Sequence, residues 1–166
     1  AEPWKVTVVD TGLNTMTGGR IKRIAPYVNN ETFMLTYGDG VSDVPMDKVL
    51  AFHKSHGKIC TMTAVKPEGR FGILDLKGDC IASFREKSKQ DVGYINGGYM
   101  IVEPEIFKYI AGDETTFERE PLETIANEGQ LMAYKYNGFW QCMDTMRDRQ
   151  KLEELWDAGK APWKVW

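Results

Sequence analysis

The chain has 166 residues, 42% of them hydrophobic and 27% charged, enough for one domain with a core of its own. A net charge of -3 gives no basic footprint for nucleic acid, and no apolar run approaches the ~20 residues of a membrane-spanning helix. Cys60, Cys80 and Cys142 are far apart and odd in number, so they suggest neither a zinc site nor a disulfide framework and read as reduced thiols in a cytoplasm.

No signal-peptide pattern precedes the first element. The start, Ala1-Glu2-Pro3-Trp4, has no methionine and reads as a cut or processed end. Residues 5–9 (KVTVV) are β-branched and predict a strand, closed by Asp10-Thr11-Gly12, and a short helix is expected over 20–27. Residues 33–37 (FMLTY) form a nearly continuous apolar run, the pattern of a strand buried on both faces of a parallel sheet. Helical spacing over 46–56 puts Met46, Val49, Leu50 and His53 on one side, and Gly57 is a good stop. A strand over 59–65 closes at Pro67. Residues 71–76 and 80–85 read as a hairpin about Lys77-Gly78-Asp79. Another strand is expected over 99–102, and Pro104 sits where a helix would start. A helix over 121–128 ends at Gly129. Strands follow over 131–136 and 139–142, and Thr145 caps a last helix over 146–158. Strands and helices alternate around one antiparallel hairpin, which predicts a single α/β domain, residues 1–166, with a mixed sheet.

Five segments hold side chains able to do chemistry. Asp39, flanked by Gly38 and Gly40, ends a strand, where α/β sheets bind ligands; it suits a hard cation such as Mg²⁺, and equally a turn aspartate bonded to its own backbone. Asp144 sits between a strand end and a helix start, as a second ligand or as an aspartate favoured by the helix dipole. Lys87 follows a strand and offers a point charge to phosphate, though most such lysines are solvated. Asn96-Gly97-Gly98 reads as a turn whose glycines admit a sugar ring and whose amide bonds hydroxyls, or simply as a turn. Thr15 to Arg20 places glycines beside an arginine, a way to cradle phosphate with backbone N–H groups and a guanidinium fork. His53 and His56 read as structural, and Trp156, Trp163 and Trp166 as packing or a subunit contact.

The order of these segments says more than any one of them. Val9-Asp10-Thr11-Gly12, Met16-Thr17-Gly18-Gly19-Arg20, Tyr37-Gly38-Asp39-Gly40, Glu86-Lys87, Ile95-Asn96-Gly97-Gly98, Gly138-Phe139-Trp140-Gln141, Met143-Asp144-Thr145 and Lys160-Ala161-Pro162-Trp163-Lys164 together resemble the sugar-phosphate nucleotidyltransferase family. The whole family shares only the Gly-Asp-Gly, Glu-Lys, Asn-Gly-Gly and Asp-Thr elements. The Met-Thr-Gly-Gly-Arg segment and the tryptophan-rich tail resemble its glucose-1-phosphate cytidylyltransferase branch. The resemblance implies a Rossmann-like mixed sheet of the nucleotide-diphospho-sugar transferase type, and CTP and glucose 1-phosphate as substrates. It implies Mg²⁺ held by Asp39 and Asp144, and Lys87 at the sugar phosphate. Thr15 and Arg20 become nucleotide contacts, Gly38 lies against the ligand, and Asn96 and Gly97 bind the sugar. A homo-oligomer is also implied, with no nucleic-acid or membrane partner.

Two features depart from the family. Ser88 stands where it usually has proline after Glu-Lys. The opening Gly-Gly-x-Gly-Thr-Arg loop and its lysine, which bind base and triphosphate, are not in this sequence. The chain is therefore expected to be the C-terminal part of a catalytic domain truncated at its N-terminus, inactive alone, and apt to associate with itself or with the missing segment. A uridylyl or thymidylyl enzyme, or a non-catalytic binding or assembly domain of this fold, are the competing readings.

Overall fold

A computed structural model of the chain describes residues 3–67, 72–77, 80–86 and 93–165, with backbone alone for 72–77 and 81–86. Helix α1 spans Thr17–Arg23, and a 3₁₀ turn follows at Ala25–Tyr27. Strand β1 (Phe33–Thr36) leads to the short β2 (Gly40–Ser42) and helix α2 (Met46–His56). Strands β3 (Cys60–Val65), β4 (Gly72–Lys77), β5 (Cys80–Glu86) and β6 (Ile95–Val102) come next. After a 3₁₀ helix at Pro104–Tyr109 the chain forms α3 (Glu120–Asn127), β7 (Leu131–Tyr136), β8 (Trp140–Cys142) and α4 (Met146–Asp157).

These strands build three sheets: a four-stranded sheet in the order β1-β6-β3-β7, a β2-β8 pair and the β4-β5 hairpin. The hairpin is antiparallel, from Gly72 opposite Glu86 to Lys77 opposite Cys80, with an irregularity at Asp75/Leu76. The helix ends follow local chemistry. Gly57 and Gly129 stop α2 and α3 with φ of +61° and +66°, a conformation in which a side chain would be strained. Thr145 opens α4 with a reciprocal cap, its side chain accepting from the Asp148 amide while the Asp148 carboxylate accepts from the Thr145 amide.

The chain divides into two compact units. The first comprises Ala1–Met34, His53–Thr61 and Ile101–Met132; the second comprises Leu35–Phe52, Met62–Met100 and Ala133–Trp166. The first buries Ile101, Ile106, Ile110, Phe117 and Ile125, and the second buries Val49, Val65 and Met100, each side chain contributing about 1.5–3 kcal/mol by leaving water. Burial pushes the Cys60 thiol up to about 12, whereas Cys80 is exposed.

Several expectations need correction. Residues 5–9 form no strand, and Val8 is 92% exposed. β-Branched residues favour a pleated, half-buried surface rather than a backbone shape as such, and among the described residues no strand pairs with this segment. Strand β1 is not buried on both faces: it lies at a sheet edge and its residues alternate, Met34 being 56% exposed. The first helix begins three residues earlier than expected and contains Gly18 and Gly19. Asn96-Gly97-Gly98 is not a turn but lies inside β6. A Cβ on Gly97 would stand 2.9 Å from the Thr63 carbonyl oxygen and 3.0 Å from Val65 Cγ1. The glycine serves close approach to β3, and Gly98 has a φ of +78°.

Candidate active site

Asp39 and Asp144 flank one end of the β2-β8 ribbon. Gly40 pairs with Cys142, Val41 with Gln141 and Ser42 with Trp140, and one step further the Met143 amide donates to the Asp39 carbonyl (2.7 Å). Strand register therefore carries both carboxylate residues, 105 positions apart in sequence, to the same end of a two-stranded element. The other end of the ribbon is closed by Asp43. Its carboxylate accepts from the Phe139 amide (2.8 Å) and from the Tyr136 hydroxyl, and the Ser42 hydroxyl donates to the Phe139 carbonyl (2.6 Å). A Cβ on Gly138 would collide with the Tyr136 hydroxyl, which explains the glycine at that corner.

Beside Asp39 is a small open depression of about 30 Å³, its wall formed by Tyr37, Asp39, Asn96, Gly97, Tyr99 and Trp140. This is far below the about 300–1,000 Å³ of a usual ligand cleft, so it forms one corner of a ligand site rather than a whole pocket. Its polar groups are aligned by one another. The Asn96 carboxamide oxygen accepts from the Gly98 amide (2.8 Å), and its nitrogen donates to the Tyr37 hydroxyl (3.2 Å). The Tyr99 hydroxyl donates to the Gly40 carbonyl (2.7 Å), and the Trp140 indole to the Gly97 carbonyl (2.8 Å). Asp39 and Gly38 are exposed, so a ligand can reach both. Among the described residues no group of three or more His, Cys, Asp or Glu side chains is arranged as a metal cage.

Thus Asp39, Asn96 and Gly97 share one depression, with Gly38 adjoining in sequence and Asp144 at the same ribbon end. Thr15 and Arg20 belong to the first unit. Thr15 is buried at 8% exposure. Arg20 spans its own loop, donating to the Thr11 hydroxyl (2.7 Å) and the Leu13 carbonyl (3.1 Å), two uses of a guanidinium with five N–H donors. The backbone amides read from sequence as a phosphate cradle are already paired. The Met16 amide donates to the Asp113 carbonyl (2.8 Å), and those of Gly18 and Gly19 to the Thr115 carbonyl (2.9 and 3.3 Å). A Cβ on Gly18 would sit 2.7 Å from that same oxygen, so this glycine pair serves helix packing. Lys87 lies outside the described residues.

Sequence reasoning gave no role to Tyr37, Tyr99 or Trp140. An aromatic in a strand reads as core; only the Tyr-Gly-Asp-Gly and Gly-Phe-Trp-Gln segments touched Tyr37 and Trp140, and Tyr99 stood merely at the head of an expected strand.

Residues 11–160 match the family described as Nucleotidyl transferase. The chain belongs to that family. Among curated nucleotidyl transferases, glucose-1-phosphate cytidylyltransferase of Salmonella typhimurium is 54% identical over 166 residues, spanning 99% of this chain and 65% of that protein. A Bacillus subtilis protein named probable glucose-1-phosphate cytidylyltransferase is 37% identical over the same shares. The chain thus spans about 65% of the length of these relatives. The crystal structure of HddC from Yersinia pseudotuberculosis superposes with a TM-score of 0.64 at 24% identity, covering 87% of this chain and 64% of that one. At that identity the likeness concerns fold alone, and the fold is the mixed-sheet α/β type expected from the sequence.

Proposed function

We propose that the protein carrying this chain transfers a cytidylyl group from CTP to glucose 1-phosphate, giving CDP-glucose and pyrophosphate. The observation that carries this reading is the 54% identity to a glucose-1-phosphate cytidylyltransferase along 99% of the chain. The convergence of Asp39 and Asp144 at one ribbon end supports it.

In this reaction an oxygen of the sugar phosphate attacks the α-phosphorus of CTP in line, and pyrophosphate leaves. The protein supplies position and charge neutralisation rather than a nucleophile. Asn96 and the Gly97 backbone hold the sugar, their groups aligned by Tyr37 and Trp140. Thr15 and Arg20 contact the nucleotide, Gly38 gives it room, and Lys87 offsets the dianionic sugar phosphate. Asp39 and Asp144 are hard oxygen donors, too few for a closed cage but suited to Mg²⁺, which binds through one or two carboxylates plus substrate phosphates. When bound there, Mg²⁺ would neutralise phosphate charge. A cytoplasmic homo-oligomer completes the reading.

In natural-length protein, Asp39→Asn or Asp144→Asn should lower turnover about 100-fold or more, because each removes charge compensation that matters most in the transition state. Turnover should require a divalent cation and favour CTP over UTP and dTTP. Near-normal Mg²⁺-dependent turnover by either variant would remove that carboxylate from the metal site. Preference for another triphosphate would reassign the nucleotide.

A further inference from the structure

Gly40 and the glycines of β6 belong to different sheets: the β2-β8 ribbon is one, and β6 lies in the four-stranded sheet. No backbone ladder joins the ribbon to β6 among the described residues. Two side-chain bonds do, and they run in opposite directions. Trp140 on β8 donates its indole N–H to the Gly97 carbonyl, and Tyr99 on β6 donates its hydroxyl to the Gly40 carbonyl, at 2.8 and 2.7 Å. Gly97 has little room on the side facing β3, where even a Cβ would stand 2.9 Å from the Thr63 carbonyl oxygen and 3.0 Å from Val65 Cγ1. Asp39 is consequently held from three sides. The Tyr37 amide before it donates to the Gly98 carbonyl (3.1 Å), its own carbonyl accepts from the Met143 amide, and Gly40 after it accepts from Tyr99.

We propose that Trp140 and Tyr99 are positioning residues that fix the carboxylate end of the ribbon against the sugar-binding backbone of β6. They set the spacing between the metal ligands and the sugar phosphate. This rests on the reaction proposed above and adds to it a device that touches neither metal nor nucleotide. The indole and the hydroxyl act through Gly97 and Gly40, so their loss should loosen the two subsites together and leave the nucleotide contacts of the first unit alone.

The test uses Trp140→Phe and Tyr99→Phe in natural-length protein, each keeping an aromatic ring while losing the N–H or O–H donor. The KM for glucose 1-phosphate and the half-saturating Mg²⁺ concentration should each rise about tenfold, the effect expected of one lost hydrogen bond. The KM for CTP, measured at saturating Mg²⁺, should stay within twofold, a split that a merely structural role would not produce. Amide hydrogen exchange at residues 39–40 and 97–98 should quicken at least several-fold in both variants. If Trp140→Phe fails to fold, Tyr99→Phe, which removes only a hydroxyl, carries the test. Unchanged exchange, or a KM for CTP that rises with the other two constants, would overturn the proposal. If the unsubstituted protein turns over no nucleoside triphosphate, the reaction reading fails, and the exchange measurement still decides whether the brace exists.

Discussion

His53 and His56, one turn apart on α2, show how single residues acquire fixed protonation patterns. The Lys58 amide donates to His56 Nδ1 (3.0 Å), so that nitrogen is an acceptor and Nε2 carries the proton. His56 Nε2 then donates to the Thr61 hydroxyl oxygen (2.7 Å). The Thr61 hydroxyl donates onward to His53 Nδ1 (2.8 Å), and His53 Nε2 donates to Glu103 (2.9 Å). Protonating His56 would replace an acceptor with a donor facing the Lys58 N–H. Its pKa is lowered from the usual 6.5 by burial first, and then by the repulsion a second positive charge would meet from Lys58 and from His53 whenever that ring is protonated. A group whose folded pKa is depressed gives its full stabilisation above its unfolded value and loses it as pH falls through the folded one. Thermal stability should therefore decline as pH drops below about 6.5. His56→Gln should flatten the Tm profile between pH 7.5 and 5. An unchanged slope in that variant would assign the dependence elsewhere.

Helix α4 makes the clearest prediction among the elements. Its first turn depends on the Thr145–Asp148 cap, whose bonds measure 3.1 and 3.2 Å. Thr145→Ala should cost about 1 kcal/mol and lower Tm by roughly 2–4 °C for a chain of this length. Thr145→Ser should restore most of it, and equal melting of all three proteins would show that the cap contributes nothing. This helix was legible because its signals are local, a capping threonine, a polar face and Gly159 at the stop; α2 was legible from its apolar spacing and Gly57. Strand β2 was not, because three residues that pair with a segment a hundred positions away leave no local pattern. The Asn96-Gly97-Gly98 segment misled for a related reason. Two glycines signal a turn when read alone, while here Gly97 answers to the Thr63 carbonyl of a neighbouring strand. Asp39, Asn96 and Gly97 were identifiable as candidates because carboxylates, amides and glycines near strand ends suggest chemistry in themselves. Trp140 and Tyr99 gain their part only from the partners that folding brings to them.

On the scale of the whole molecule, Trp4, Val6, Val8 and Leu13 expose apolar surface along one stretch of chain, and β1 and β7 are the edge strands of the four-stranded sheet among the described residues. Such edges and apolar strips recruit other chains. The 166-residue chain should associate in solution, seen by light scattering as a mass above that of one chain. Replacing Val6 and Val8 with lysine should reduce that mass. A monodisperse monomer with a cooperative melt would show that these surfaces are tolerated. The placement of Trp140 has a practical side as well. Of five tryptophans, this one lines the depression beside Asp39 with its ring nitrogen tied to Gly97. Indole emission responds to hydrogen bonding and to nearby water, so the protein contains its own optical reporter at the proposed sugar subsite. Ligand occupancy can be followed there by intrinsic fluorescence, without a label and without turnover.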